Sequence, residues 1–510
     1  MRDVVRVELH PAGVAFSVER GAPLRNALSA HGLEFPCSGR ERCGGCRIRT
    51  ISGLAAITPD DSAFFSEADL AAGWRLGCHL CAGESLTLEV DQWKPTILGD
   101  DTAGPARNTT GLGVAVDLGT TTVVAQLLDL QTGQVLGVQS NLNPQAAYGS
   151  DIMSRMENAM HGADLTAPIR SCVGAMIRDL AEGRASQIAE VVLVGNTVMH
   201  HLFCGLDVAP LSHVPFQSSS SGEQQLSPLI LGWNLSPEAK VRFLSAIGGF
   251  VGSDILAGIV AVGLNRGPQL RALIDLGTNG EIAIGNETGI LCASTAAGTA
   301  FEAGNISMGM RAVTGAISHV SLRGKELCCS VIGDTEPCGL CGSGLVDAVA
   351  CLLEGQEIRA SGRFSQKAPA LSIAGEVRLT QRDVRELQLA KGAIAAGVRI
   401  LLDRWGAAMG DVEAIYLSGA FGNYVSAQSA IRIGLLAFDA KRIHAAGNTA
   451  LRGAKTLLTQ RYEDVLRICR HVSLASDPRF QETFAESLAF PELPSSEQSP
   501  VQRLVREMAG

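Results

Sequence analysis

The segment Val114-Ala-Val-Asp117-Leu-Gly-Thr120-Thr-Thr-Val-Val-Ala recurs further along the chain as Leu273-Ile-Asp275-Leu-Gly-Thr278-Asn-Gly280-Glu-Ile-Ala. Each copy reads as a buried strand, an acidic residue, a tight Gly/Thr turn and a returning strand. Each is followed, at some distance, by a strand ending in a glycine turn: Val191-Val-Leu-Val-Gly195-Asn-Thr and Ala414-Ile-Tyr-Leu-Ser-Gly419-Ala-Phe-Gly422. An internal duplication is the simplest account. Two related α/β halves facing each other place both Asp-Leu-Gly-Thr turns at one cleft. Turn N–H groups and Thr hydroxyls suit phosphate oxygens. The candidates are Gly119, Thr120, Thr121 and Thr122 in the first turn, and Gly277, Thr278, Asn279 and Gly280 in the second. Asp117 and Asp275, at strand ends, can hold Mg²⁺ through water or orient an attacking water. Gly419, Ala420 and Gly422 form a turn on which a nucleoside can lie close to the backbone. One such turn alone is an ordinary Asp/Gly turn; the pair plus the late glycine strand reads as phosphate binding.

The first ninety residues have a different character. Val4 to Leu9 and Val14 to Val18 alternate like strands around Pro11-Ala12-Gly13, a hairpin signal. Pro23 to His31 has helical spacing, a further helix is expected around Thr58 to Ala71, and Leu86 to Val90 closes as a strand. Between them runs Cys37-Ser-Gly-Arg-Glu-Arg-Cys43-Gly-Gly-Cys46. Three thiolates on a glycine-rich loop suit an iron–sulfur cluster, because the backbone can curl close and aim its N–H groups at the sulfurs. A zinc site would favour paired CxxC knuckles. Cys78 or Cys81 can supply the fourth ligand. The spacing resembles the adrenodoxin-type variant of the plant-type [2Fe–2S] ferredoxins, whose fourth cysteine follows a run like Trp74-Arg-Leu-Gly-Cys78; that resemblance favours Cys78 and implies a β-grasp fold.

Length and composition narrow the function classes. A chain of 510 residues exceeds one hydrophobic core. The expected divisions are a ferredoxin domain at 1–93, a flexible linker at 94–110, a duplicated phosphate-binding core at 111–476 with lobes at 111–250 and 251–476, and a peripheral tail at 477–510. A net charge of -9 and 5% aromatic residues argue against nucleic acid as a partner. The apolar stretch from Ile247 to Leu264 is broken by glycines and Asp254, so no membrane span is expected, and the N-terminus carries no apolar signal core. A cytoplasmic setting follows, in which 14 cysteines read as metal ligands or buried thiols.

The duplicated turns resemble the phosphate-1 loop (Asp117 to Thr122), phosphate-2 loop (Asp275 to Gly280) and adenosine motif (Leu417 to Gly422) of the acetate and sugar kinase, Hsp70 and actin (ASKHA) superfamily. The runs Gly298-Thr-Ala-Phe-Glu302 to Arg311 and Pro337-Cys-Gly-Leu-Cys341-Gly-Ser-Gly to Asp347 resemble the narrower family of ferredoxin-fused ATPases, the reductive activators of corrinoid proteins. The resemblance implies ATP with Mg²⁺ as ligand, a [2Fe–2S] cluster as electron carrier, and an external low-potential donor. Its acceptor would be Co(II) of an inactivated corrinoid protein, with the cobalamin on that partner. A homodimer is compatible with it. Members usually carry a middle domain between linker and core, for which the length leaves little room. The alternatives are an electron carrier with a regulatory nucleotide site, an activator of radical dehydratases, and a small-molecule kinase. His200 and His201 read as ordinary packing, and Cys338, Cys341, Cys328 and Cys329 as thiols rather than a second metal site.

Overall fold

The computed structural model describes residues 3–10, 14–31, 33, 46–90, 102–106, 110–149, 151–217, 220–277, 279–313 and 315–492. At the N-terminus lie β1 (Val4–His10), β2 (Val14–Glu19), α1 (Arg25–Ala30), β3 (Arg47–Ser52), α2 (Pro59–Phe64), α3 (Glu67–Ala71), β4 (Trp74–Leu76) and β5 (Leu86–Val90). Their sheet has the order β2-β1-β5-β3-β4, with β1 antiparallel to β2 and parallel to β5. Alternation along β1 turns Val5, Val7 and Leu9 inward, onto Leu24 and Leu28 at and in α1. This is the expected β-grasp. The helix expected around Thr58 to Ala71 is two short helices, because Thr58/Asp61 and Ser66/Asp69 each form a capping box that starts a new one. The hairpin turn at Pro11 to Gly13 lies outside the described residues.

The remaining chain folds as two equivalent units. The first contains β6 (Leu112–Leu118), β7 (Thr122–Asp129), β8 (Val135–Leu142), α4 (Ile152–Met160), α5 (Thr166–Ala181), β9 (Ile188–Val194), α6 (Thr197–Cys204), β10 (Gln224–Leu226), α7 (Pro228–Leu231), β11 (Lys240–Phe243) and α8 (Ser253–Val262). The second begins with β12 (Arg271–Leu276), β13 (Gly280–Asn286), β14 (Gly289–Thr295), β15 (Ala316–Arg323), β16 (Glu326–Val331), β17 (Gly339–Leu340), α9 (Gly342–Glu354), β18 (Ala370–Ala374) and β19 (Val377–Thr380). It continues with α10 (Gln381–Trp405), β20 (Ala414–Ser418), α11 (Gly419–Gly422), α12 (Ala427–Arg432), β21 (Ile443–Gly447), α13 (Thr449–Leu457), α14 (Glu463–Ile468), β22 (Cys469–His471) and α15 (Phe480–Ser487). The sheet orders are β10-β11-β9-β6-β7-β8 and β21-β20-β12-β13-β14-β22. In each, an antiparallel meander is extended by two parallel strands: β9 and β11 beside β6, β20 and β21 beside β12. The register is equivalent too, since Asp117 pairs with Val194 just before Gly195, and Asp275 with Ser418 just before Gly419.

Between the two sheets, α8 crosses α13. α8 follows β11 and α13 follows β21, yet α13 packs on β6 and β9 of the first sheet while α8 reaches β12 and β13 of the second. Ile255, Leu256, Ile259, Leu451, Ala454 and Leu457 fill this layer. Its tightness depends on glycine: a Cβ on Gly453 would lie 2.0 Å from the Ala257 carbonyl oxygen, and one on Gly258 2.7 Å from Leu273 Cδ2. At the rim, Arg242 pairs with Glu190 at 2.6 Å and donates to the Leu457 carbonyl at 3.0 Å.

Two boundary expectations change. Part of the stretch read as a flexible linker is docked on the core: Lys455 Nζ donates to Thr102 O at 2.7 Å, and Gly104 N to Gly133 O at 2.7 Å. Likewise the tail read as peripheral from Asp477 packs, up to Glu492, along α10. Gln388 Nε2 donates to Leu488 O at 2.9 Å, Lys391 Nζ to Ala489 O at 2.5 Å, and Phe490 enters the core. Apolar burial at Phe490 and side-chain donors on α10 for the tail's carbonyls are tertiary gains that a polar local sequence does not announce. Among the described residues no helix is long and apolar enough to cross a membrane.

The crossing carries a direct stability test. Gly453→Ala should cost about 1–3 kcal/mol in denaturant unfolding, the usual cost of overpacking. Gly410→Ala, where a Cβ meets nothing within 4 Å, should stay within about 0.5 kcal/mol of wild type.

Candidate functional site

Both Asp-Leu-Gly turns sit at the mouth between the units and close the same way. Gly119 N donates to Thr122 O at 3.1 Å, and Gly277 N to Asn279 O at 3.1 Å. A Cβ on Gly119 would fall 2.6 Å from Thr122 O, so the turn admits only glycine without a shift. Asn143 Nδ2 donates to Gly119 O at 2.9 Å and Asn196 Nδ2 to Thr120 Oγ1 at 3.0 Å, fixing the first turn from two sides. The third turn meets the second: Gly419 has φ +84°, and a Cβ there would lie 2.6 Å from Asp275 Oδ1. Gly422 packs against Leu417 in the same turn. Thr278 lies outside the described residues. The fold therefore brings Asp117, Asp275, Gly119, Thr120, Gly277 and Gly419 together where the two units meet, with glycine backbone at the facing turns.

The crossing helices deliver two residues that the sequence patterns did not single out. Asn448, the N-cap of α13, donates through Nδ2 to Asp117 Oδ2 at 2.8 Å. Asp254, in the first turn of α8, stands close enough to Asp275 for their charges to interact. Each helix thus carries a polar head from one unit to the aspartate of the other. An Asn before an apolar helix and the Gly252-Ser-Asp254 start of an apolar run were the available signals, both common as plain caps.

The cleft concentrates negative charge. Burial, then the Asp275 and Asp117 charges, push Asp254 up to about 8. Burial raises Asp117 to about 6, with the Asn448 amide pulling it down and Asp275 pushing it up. Burial also raises Asp275 against the hydrogen bond from Ser418, and lifts Glu281 well above the carboxylate range. Carboxylates under such strain are relieved by a cation. Among the described residues no three His, Cys, Asp or Glu side chains converge to grip a metal ion directly.

In the ferredoxin domain, Cys46 is buried and its Sγ lies 3.4 Å from Cys78 Sγ. Two thiolates on one tetrahedral ion at about 2.3 Å sit about 3.7 Å apart, so this pair fits a shared iron. Cys81 is exposed and turns to the His79 carbonyl at 3.6 Å. Asp61 accepts from Leu76 N at 2.7 Å and so fixes the strand that presents Cys78. Cys37 and Cys43 lie outside the described residues. His200 and His201 are fully buried on α6, His200 edge-on to Phe243 and held by burial down at about 4, which is core packing. Cys338 and Cys341 turn to Glu336 O and Ser343 Oγ.

Two measurements follow. Cys78→Ser should abolish the visible absorbance and iron content of the purified protein, and Cys81→Ser should leave both within error. For the cleft, Asp254 is raised from its ordinary 3.8 to about 8, so the nucleotide-free fold binds a proton that the unfolded chain has released. Stability from this group is present below the lower value and lost as pH rises through the upper one. Asp254→Asn should then raise the melting temperature more at about pH 8 than at about pH 5.

Comparison with known proteins agrees with this architecture. Residues 112–267 match the RACo middle region, and residues 269–501 match the C-terminal domain of RACo, the ASKHA domain. The middle region thus occupies the stretch read as the first ATPase lobe, which corrects the expectation that there was little room for it. Among curated relatives, the corrinoid activation enzyme RamQ of Eubacterium limosum is 36% identical over 417 residues, covering 74% of this chain and 70% of RamQ. The [Co(II) methylated amine-specific corrinoid protein] reductase of Methanosarcina barkeri is 28% identical over 431 residues, covering 74% and 77%. A solved reductive activator for corrinoid, iron-sulfur protein superposes with TM-score 0.66 at 24% identity over 96% of this chain and 98% of its own, a likeness of fold. A duplicated cleft behind a ferredoxin sheet, both RACo regions in order, and a relative of this identity and coverage together place the chain in the RACo family of ferredoxin-fused ASKHA ATPases.

Proposed function

We propose that this protein is an ATP-dependent reductive activator that passes one electron from a [2Fe–2S] cluster to Co(II) of an inactivated corrinoid protein, restoring Co(I). The observation that carries the reading is the union in one chain of a Cys46–Cys78 pair on a β-grasp sheet and a paired Asp117/Asp275 cleft, in a family whose relatives are named for corrinoid activation and Co(II) reduction. The cluster supplies a one-electron carrier near about -400 mV. An acceptor some 100 mV lower costs about 2.3 kcal/mol per electron, at about 59 mV per tenfold. A difference of that size is within reach of nucleotide-driven lobe movement.

The residues divide this work by position. The Gly119-to-Thr122 and Gly277-to-Gly280 turns hold phosphate oxygens through backbone N–H groups. Gly419, Ala420 and Gly422 give the nucleoside its bed. Asp117, held by Asn448, and Asp254 anchor the hydrated Mg²⁺ that accompanies ATP, and Asp275 orients the attacking water. Cys37, Cys43, Cys46 and Cys78 hold the cluster. The cobalamin belongs to the partner, and an external low-potential donor reloads the cluster. Besides presenting Asp254 and Asn448, α8 and α13 transmit any change of cleft width to both units through their shared packing layer.

The test follows cobalt by absorbance in a Co(II) corrinoid protein, with the full-length protein and a donor of ordinary ferredoxin potential. Co(I) should appear with MgATP and not without it. Asp275→Asn should keep its iron and lose ATP hydrolysis by about 10²-fold or more, together with Co(I) formation. Cobalt reduction that proceeds equally well without ATP would favour a plain electron carrier.

A further inference from the structure

The ferredoxin domain touches both units of the ATPase: one contact lies beside the first phosphate turn, and the other is linked by packing to the adenosine turn. On the first unit, α1 meets the 3-10 turn Pro144–Tyr148, and Leu142 at the end of β8 packs against the ferredoxin core. The residue between them, Asn143, is bonded to the first phosphate turn twice: its N–H donates to Thr121 O at 2.8 Å and its Nδ2 to Gly119 O at 2.9 Å.

On the second unit, the contact is Arg47, the neighbour of cluster ligand Cys46. Its guanidinium is held over Phe65 and Trp74, 5.1 and 5.5 Å from the ring centres. A Cβ built on Gly315 would lie 3.1 Å from Cys338 Sγ and 3.7 Å from Arg47 Nη1. Arg47 is also close enough for its charge to pull the Cys338 thiol down, against burial that pushes it up. From here packing leads to the adenosine turn. Cys338 N donates to Gly315 O at 2.8 Å, and Leu340 N to Met308 O at 2.8 Å. A Cβ on Gly342 would meet Phe301 O at 1.7 Å, and the Phe301 ring stacks on Phe421 at 4.7 Å. Phe421 sits inside the Gly419–Gly422 turn.

We infer that the ferredoxin domain is a clamp across the two units, docked through Arg47 and Leu142 at one lobe spacing, and that nucleotide binding, by changing that spacing, releases it. This deepens the proposed function and rests on the cleft being its nucleotide site. One rigid domain bridging two lobes cannot keep both contacts when their spacing changes. A nucleotide that alters the spacing therefore breaks at least one, freeing the cluster end around Cys46 and Arg47 for an outside partner. The coupling is reciprocal: whatever nucleotide does to docking, docking does to nucleotide affinity.

Cys338 reports the docked state, because it lies partly buried beside Arg47. Alkylation of the full-length, cluster-loaded protein with iodoacetamide, read at Cys338 by peptide mass mapping, should accelerate about fivefold or more when a non-hydrolysable MgATP analogue binds. Arg47→Ala and, separately, Leu142→Ala should accelerate it without nucleotide, remove the further effect of the analogue, and tighten analogue binding measured by calorimetry. Loss of the Arg47 charge alone would slow alkylation by raising the thiol, so a faster rate reports exposure. Leu142→Ala removes no charge, and visible absorbance confirms an intact ferredoxin domain in both. Analogue binding with an unchanged or slower Cys338 rate overturns the clamp while leaving the cleft in place. No calorimetric binding at all overturns the nucleotide site and the clamp with it.

Discussion

The crossing of α8 and α13 is the contact on which the architecture turns. Between the two sheets each helix packs on strands of the opposite unit, and the two helices approach closely enough that Gly453 and Gly258 have no room for a side chain. The same layer sets the chemistry. Because the helices point their N-termini at the cleft, Asn448 arrives at Asp117 and Asp254 arrives beside Asp275. Packing and electrostatics are therefore one problem here: a change in the crossing moves apolar area and two cleft side chains together.

Charge in the cleft has a matching logic. Asp117, Asp254, Asp275 and Glu281 would be ionised in water, and each is pushed upward by burial. A protein gains nothing in stability from such a group, and a cation placed among these carboxylates would relieve their mutual repulsion. The ferredoxin end works differently. Its thiols are placed by ordinary devices, a capping box at Thr58 and a carboxylate, Asp61, that ties α2 to the strand before Cys78.

Much of this was legible in the sequence because it depends on local patterns. The Asp-Leu-Gly turns, the strand before Gly419, the Cys37-to-Cys46 run and the Trp74-to-Cys78 run are each set by a few consecutive residues. The duplication is visible because both copies need the same tight turn. What was not legible depends on long-range packing. Asp254 looked like a polar break in an apolar run, and only the second unit makes it part of the cleft. Asn448 looked like a helix cap, and is one, but its amide also bonds Asp117 from 331 residues away in sequence. The segment after Asp477 looked peripheral because its carbonyl partners, Gln388 and Lys391, lie on a helix far upstream. The Phe301–Phe421 stack was hidden for the same reason.

The exchange of helices between the units also bears on how such a chain can arise and be divided. A duplicated unit whose copies merely touched could be separated again, each half keeping its own covering. Here α8 of the first half packs on the sheet of the second, and α13 of the second half packs on the sheet of the first. A cut in the segment between Val262 and Arg271 would leave two fragments, each with an uncovered apolar sheet face and an orphaned helix. Such fragments are natural complements, soluble as a pair and aggregation-prone apart. Once the copies had traded helices, neither could have been lost or replaced alone, so the two would have been bound to change in step.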